Sequence, residues 1–264
     1  MKWPINKKFI ICLLIVLSGG SFAQTQNRRQ NAATMLRQTA QMYERAGQTQ
    51  QAAEYYARAC RENPGDVSAY LGAKRAYLRI GDYEQLSALI QTLQAKRRDL
   101  RYPVDLALID FKQGEVERAA TKWRRVLEEN PSTHQAYTLV GQAMVDNQLY
   151  KEAVSVFERG RTRLKNRTAF MFELARIFKV MKQFDKLVRE YASYLETNPG
   201  QVFFIQSELQ RFGREENNAE PLVKELNRAL KSFQTIEWAL HIFIGEQYAA
   251  NKQLSGALEH FIEA

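Results

Sequence analysis

The sequence predicts an all-α protein built as a solenoid of repeated helical hairpins. The composition favours helices, since 45% of the 264 residues are hydrophobic, 25% are charged, and glycine and proline are scarce. A pattern of small and aromatic residues also recurs at a spacing of 34 residues, as from Ala119 to Ala153, and Asn-Pro dipeptides follow several copies. A repeat period between roughly 20 and 50 residues is typical of solenoids, whose hairpins bury their apolar faces against neighbouring hairpins.

The first 23 residues have the pattern of a secretory signal peptide. Three lysines precede the apolar run FIICLLIVL (9–17), and the small residues Ser21 and Ala23 precede a cleavage point after Ala23. The alternative is an uncleaved membrane anchor, although this run is shorter than the roughly 20 residues that span a bilayer. We expect an exported protein, with the periplasm as its destination, and a polar linker at residues 24–32.

Cleavage of this leader would change both the charge and the cysteine content. The three lysines leave without any acid, so the net charge falls from +9 to +6. Only Cys60 remains, and a single cysteine cannot form an intramolecular disulfide. We interpret Cys60 as a small residue of a helix.

The repeated segments align over ten residues. The segment SGALEHFIEA (255–264) matches QQAAEYYARA (50–59), ERAATKWRRV (117–126) and KEAVSVFERG (151–160). The third position is alanine in all four segments, and the seventh position is always aromatic: Tyr56, Trp123, Phe157 and Phe261. Small residues let helices approach closely, and aromatic side chains fill the adjacent space.

These motifs resemble the tetratricopeptide repeat family over residues 33–264. The family pattern has a bulky residue at position 4, small residues at 8, 20 and 27, aromatic residues at 11 and 24, and proline at 32. The first copy fills every position, with Leu36, Ala40, Tyr43, Ala52, Tyr56, Ala59 and Pro64. The resemblance implies a right-handed superhelical solenoid of about seven helix–turn–helix repeats: 33–66, 67–99, 100–133, 134–167, 168–201, 202–237 and an incomplete 238–264.

Individual copies depart from the pattern. The second copy has Lys74, Leu86 and Leu93 at the small positions, and the sixth contains a polar loop at 213–220. The seventh ends at its third small position, Ala264, so we expect these residues to be part of a longer protein. The turns RAGQ, RIGD and KQGE predict a glycine with positive φ where the first helix of a repeat ends.

No sequence motif indicates an enzyme. Phosphate-binding loops, dinucleotide-binding glycines, nucleophile elbows and His-Glu-x-x-His pairs do not occur. His134, His241 and His260 are dispersed along the sequence, which argues against a metal site. We interpret His134 as solvated, His241 as a core residue and His260 as a surface residue. We expect no catalytic residue, cofactor, metal or small-molecule substrate. The positive charge raises the possibility of nucleic-acid binding, but the predicted export argues against it, as does the lack of a basic stripe interleaved with aromatic residues.

The resemblance implies a binding groove lined by the first helix of each repeat. The corresponding candidate partner-binding residues are Arg37, Arg75, Arg79, Leu108, Phe111, Phe172, Arg176 and Lys179. A basic groove with apolar spots favours an acidic or C-terminal protein segment. The alternative is that these are ordinary solvated arginines and lysines. The carboxylate clamp of some family members is not matched, because Gly72 and Asp105 replace its polar residues and Asp105 would repel a carboxylate.

The resemblance and the leader together predict a non-enzymatic scaffold or adaptor of the cell envelope. It would hold an extended segment of a partner protein in its groove. Membrane association would then arise only through a partner or a segment beyond residue 264. The alternative function is an N-terminal regulatory arm of an enzyme or sensor whose catalytic domain lies beyond residue 264.

Overall fold

The regular structure of the chain is helical throughout the described residues. The computed structural model describes residues 7–215 and 217–264, and it describes side chains from residue 26 onward. In these residues the α-helices are α1 (Lys7–Arg45), α2 (Thr49–Glu62), α3 (Val67–Ile80), α4 (Tyr83–Gln94), α5 (Arg101–Lys112), α6 (Val116–Glu129), α7 (His134–Val145), α8 (Tyr150–Leu164), α9 (Met171–Val180), α10 (Phe184–Thr197), α11 (Val202–Gly213), α12 (Ala219–Leu230), α13 (Glu237–Ala250) and α14 (Leu254–Glu263). The predicted all-α class is confirmed.

The helices form consecutive hairpins. We call the odd-numbered helices A helices and the even-numbered helices B helices. Contacts join the members of a hairpin, as in α1 with α2 and α7 with α8, and also join successive hairpins, as in α2 with α3 and α8 with α9. Each predicted repeat span contains one A helix and one B helix.

The predicted leader and linker lie within or before α1. Residues 1–6 and the side chains of residues 7–25 lie outside the described part of the chain, so of the predicted leader at 1–23 only the helical backbone of residues 7–23 is described. Residues 24–32 are helical and continue into the first A helix, because no glycine or proline interrupts them. Among the residues with described side chains, no helix combines the length and hydropathy needed to cross a membrane.

The chain divides into two compact units, residues 1–122 and 123–264. In unit 1 the core consists largely of tyrosine and alanine side chains, including the buried Tyr56, Tyr70 and Tyr77. A Cβ atom at Gly72 would lie 2.6 Å from the Tyr56 ring, so glycine lets α3 approach the aromatic residue of the preceding repeat. Cys60 is also buried, and burial raises the pKa of its thiol to about 12.

In unit 2 the small and aromatic positions pack as the repeat pattern predicts. Phe157 is buried against Gly141 of its own hairpin, where a Cβ atom would overlap the ring. The Phe170 ring of the next repeat lies 5.1 Å from the Phe157 ring, measured between centroids. Gly160 permits this approach, since a Cβ atom there would lie 2.6 Å from Phe170.

Every A–B turn of the described chain contains a residue with left-handed backbone geometry. The predicted glycines are confirmed, with φ of 75° at Gly47, 74° at Gly81 and 88° at Gly114. The later repeats have the same geometry without glycine, with φ between 50° and 62° at Gln148, Lys182, Asn217 and Lys252. The turn geometry is therefore shared by all these hairpins, whereas the glycine is restricted to the first three.

Candidate protein-interaction surface

In unit 1, a carboxylate of the neighbouring repeat neutralises one of the predicted groove cations. Arg75 on α3 donates from Nε and Nη2 to the Glu44 carboxylate of α1, at 2.8 and 3.0 Å. The Tyr56 hydroxyl donates to the same carboxylate at 2.8 Å. The Arg75 hydrogen bond is the largest cause that lowers the pKa of Glu44, so this carboxyl stays charged. Arg75 therefore joins two repeats.

The other predicted residues of unit 1 differ in their exposure. Arg37 lies 3.1 Å from the Asp66 carboxylate, which also accepts a hydrogen bond from the backbone at the start of α3. Arg79 is exposed, whereas Phe111 is only half-buried. Leu108 is 5% exposed and belongs to the core, so this residue does not present a surface to a partner. The sequence shows that residue 108 is apolar, but whether its side chain is buried depends on the packing around α5.

Asp105 does not face a partner in the groove either. It is 3% exposed and accepts hydrogen bonds from the Tyr70 hydroxyl at 2.5 Å and from Lys74 Nζ at 2.6 Å. Both donors lie on α3, and Asp105 lies on α5. This cluster fixes one A helix against the next. The Asp105 carboxylate already accepts hydrogen bonds from these two donors and is not available to a partner.

In unit 2, α9 carries three of the predicted residues on one face. We call Phe172, Arg176 and Lys179 the α9 stripe, because residues spaced by four and three positions lie on one side of a helix. The neighbouring A helices flank it: Arg176 donates to the Gln142 side-chain oxygen of α7 at 2.7 Å, and Lys179 lies 2.5 Å from the Glu208 carboxylate of α11. We call this surface of α7, α9 and α11 the A-helix face of unit 2.

Lys179 is held by several groups and is not free for a partner. Glu208 also forms an ion pair with Arg211, and the Lys179 ammonium lies over the Tyr191 and Phe212 rings. Burial, followed by the nearby Arg211, lowers the pKa of Lys179 to about 8, and the nearby Glu215 opposes this shift.

Arg176 keeps its charge uncompensated. It is exposed, and its hydrogen-bond partner Gln142 is a neutral amide, which in turn donates to Asp146. Among the described residues no carboxylate forms an ion pair with Arg176. Its guanidinium is therefore the cation of the α9 stripe that remains able to bind an anionic group.

An aromatic cluster adjoins this charge. Phe172 is 50% exposed, and its ring packs edge-on against Phe204 of α11 at 5.3 Å and Tyr194 of α10 at 5.9 Å, measured between centroids. Phe204 is 43% exposed and the adjacent Phe203 is 77% exposed. Neither residue is among the predicted partner-binding residues, although the dipeptide Phe203-Phe204 at the start of the sixth repeat was a usable signal.

The three histidines differ in how well they match their sequence interpretation. His134 is exposed, as expected, and its ring stacks on Phe170 with centroids 4.3 Å apart. His241 and His260 meet across the last hairpin, where their Nδ1 atoms are 2.9 Å apart and share a hydrogen bond. In the described part of the chain, no group of three or more histidine, cysteine or acidic side chains could hold a metal ion.

A wide cleft lies on the opposite, B-helix side of unit 2. Lys182, Arg189 and Lys224 line it together with Asp185 and Glu220. Charges of both signs are mixed along its walls, as is usual for solvated helix surfaces. We therefore interpret the cleft as a solvated surface between B helices.

Two models of the tetratricopeptide repeat match adjacent stretches, residues 43–103 and 104–165. Similar solved structures include a tetratricopeptide repeat protein from Parabacteroides merdae, at 16% identity and a TM-score of 0.36 over 88% of this chain and 92% of that chain. A thermophilic repeat protein from Thermus thermophilus has 20% identity and a TM-score of 0.39 over 64% and 92% of the two chains.

A third similar structure is the C-terminal part of a repeat-containing protein from Cytophaga hutchinsonii, with 13% identity and a TM-score of 0.39 over 86% and 94% of the two chains. No curated protein matches the sequence. The two adjacent family matches together run from the end of α1 to the end of α8, where the helices pack small residues against aromatic ones. Residues 43–165 of the chain therefore belong to the tetratricopeptide repeat family.

Proposed function

We propose that this chain is a non-enzymatic scaffold of the cell envelope that holds an extended segment of a partner protein against the A-helix face of unit 2. Tetratricopeptide repeats in general mediate protein–protein interactions, which supports the scaffold role. The specific surface is our own assignment, and the following contacts support it.

One observation carries this assignment. The α9 stripe exposes an aromatic ring, Phe172, one helical turn from an uncompensated guanidinium, Arg176. Exposed aromatic and arginine side chains are the residue types most enriched in the energetically important centres of protein interfaces. The cations Arg75 and Lys179, by contrast, are already paired with carboxylates of neighbouring A helices.

The contacts between repeats prepare this face for binding. Arg176 joins α9 to α7, Lys179 joins α9 to α11, and Gln206 of α11 donates to Glu246 of α13 at 2.5 Å. These hydrogen bonds fix neighbouring A helices before a partner arrives. The loss of conformational entropy on binding would then fall mainly on the partner segment.

Export to the cell envelope is part of this proposal and rests on residues 1–23. Their order of basic, apolar and small residues supports cleavage after Ala23. We predict that the mature protein, purified from its host, begins at Gln24. N-terminal sequencing and intact mass test this, and a full-length protein that retains Met1 or residues 9–17 would contradict it.

The proposed binding surface can be tested by photo-crosslinking in the host. A photoreactive phenylalanine analogue at position 172 keeps an aromatic side chain on the α9 stripe. The same analogue at Leu258, an exposed residue of the B helix α14, is the matched control.

We expect crosslinks to one partner protein from position 172 and not from position 258, with the crosslinked peptide in a segment that lacks regular secondary structure. The same set of crosslinked proteins from both positions would overturn the assignment, as would no crosslink from position 172.

A further inference from the structure

The α9 stripe carries a charge pattern that limits what kind of segment it can bind. Lys179 and Arg211 both pair with Glu208, and only Arg176 lacks a carboxylate partner among the described residues of this stripe. An acidic side chain meets no competing carboxylate at Arg176, whereas at Lys179 or Arg211 it would compete with Glu208. The stripe therefore favours a single carboxylate.

The second recognition element is apolar. The Phe172 ring is half-exposed, and the neighbouring Phe204 ring contacts it edge-on. An aromatic or large aliphatic side chain that covers these rings would remove apolar surface from water and could pack against a ring face. The stripe thus places an apolar contact next to a single charge-assisted hydrogen bond.

The helix geometry fixes the spacing between the two elements. Phe172 and Arg176 are four residues apart on α9, which corresponds to a rise of about 6 Å. An extended chain advances about 3.3 Å per residue, and alternate side chains point to the same side. Two residues of an extended segment therefore span about 6.6 Å, and both side chains can face α9.

We propose that the partner segment carries an aromatic or large aliphatic residue and one Asp or Glu two positions away, in the pattern apolar–x–acidic or its reverse. The apolar side chain packs on Phe172 and Phe204, and the carboxylate accepts hydrogen bonds from the Arg176 guanidinium. This inference rests on the proposed function, because it specifies the ligand of the same surface.

A series of fluorescently labelled peptides tests the spacing on the purified full chain. The parent peptide is Gly-Ser-Phe-Ser-Asp-Gly-Ser, and the series places Asp one, two or three residues from Phe, on either side, or replaces it by Ala. We expect the two-residue spacing, in one chain direction, to bind about fivefold more tightly than the other spacings and the Ala peptide, as an exposed ion pair allows. Anisotropy titrations measure the affinities.

Variants of the protein separate the two contacts. Arg176→Gln should remove the preference for the two-residue spacing, while Arg189→Gln, an equal loss of charge on the B helix α10, should leave it intact. Phe172→Ala should weaken every Phe-containing peptide, whereas Leu258→Ala should not. Arg176→Glu should restore binding to a peptide with Lys in place of Asp.

The outcomes show whether the proposed peptide motif, the proposed binding surface or both are wrong. Peptides that lose affinity with Phe172→Ala but show no spacing preference would overturn the apolar–x–acidic motif and leave the proposed surface standing. If no peptide of the series binds, and the position-172 crosslinks map to a segment without this motif, the motif is likewise overturned. If position 172 also gives no crosslink, both the motif and the proposed function fall.

Discussion

At the scale of single residues, the carboxylate of Asp105 is central to the contact between α3 and α5. It is buried and accepts hydrogen bonds from Tyr70 and Lys74, which come from the preceding repeat. Its removal would leave a buried hydroxyl without an acceptor and a half-buried ammonium without its counter-charge.

We predict that Asp105→Ala lowers the free energy of unfolding by about 3 kcal/mol. Asp105→Asn, which keeps an oxygen acceptor for Tyr70, should cost less. Urea denaturation followed by circular dichroism measures both changes. An Asp105→Ala protein as stable as the parent would show that this cluster does not hold α3 and α5 together.

The residues of the candidate site could be predicted from the sequence only in part. The resemblance to the repeat family was sufficient to select Phe172, Arg176 and Lys179, which occupy its groove positions. The sequence alone does not show which of the predicted cations is paired with a carboxylate. Glu44 lies 31 residues from Arg75, and Glu208 lies 29 residues from Lys179. Which cation meets an acid depends on how adjacent A helices align side by side.

At the scale of the helical hairpin, the residues with left-handed backbone geometry in the A–B turns should differ in how much they destabilise the folded protein. Lys182 has φ of 50°, a region where a side chain with a Cβ atom is disfavoured by roughly 1–2 kcal/mol. Gly47, Gly81 and Gly114 occupy the corresponding positions of the first repeats without this penalty.

We predict that Lys182→Gly raises the free energy of unfolding by about 1 kcal/mol, after allowance for the entropy of glycine in the unfolded chain. Lys224→Gly is the matched control, because Lys224 lies within α12, where glycine is unfavourable. The melting temperature should rise for the first variant and fall for the second. A fall in both would mean that the turn at Lys182 is unstrained.

The last hairpin should become less stable in acid. Burial, followed by the nearby His241, lowers the pKa of His260, while Glu259 and Glu263 oppose this shift. The folded state thus binds this proton more weakly than the unfolded chain, in which the ordinary value is 6.5. The stabilising contribution is complete above pH 6.5 and is lost as the pH falls from there towards the lowered folded value.

We predict that His260→Gln loses less melting temperature between about pH 7.5 and pH 5 than the parent protein does. His134→Gln, which removes an exposed histidine of another repeat, should keep the parent's pH dependence. Scanning calorimetry at the two pH values gives the comparison. Equal pH dependence of the His260→Gln protein and the parent would contradict the prediction.

The helical hairpins were more predictable than the contacts between them. The 34-residue spacing located the A and B helices, because small and aromatic residues recur wherever two helices must pack closely. The sequence did not predict Gly72 as the glycine that faces Tyr56, because it lies two positions before Lys74, which the repeat pattern aligns with the small position. Local packing across a repeat boundary overrides the average pattern.

At the scale of the whole chain, a net charge of +9 does not produce a uniformly basic binding face. In unit 1, Glu44 and Asp105 neutralise Arg75 and Lys74, and in unit 2, Glu208 neutralises Lys179. The composition predicted an excess of positive charge, whereas only the packing of the repeats determines where charge remains available. The expected partner is accordingly a mixed apolar and singly acidic segment, and not a highly acidic one.

The measurement that tests this account most directly is a peptide-display selection on four purified proteins: the parent chain, Phe172→Ala, Arg176→Glu and Arg189→Glu. We predict that the parent and Arg189→Glu enrich the same extended peptides and that Phe172→Ala and Arg176→Glu lose them. Enrichment of the same peptides by all four proteins would show that the A-helix face of unit 2 is not the binding surface.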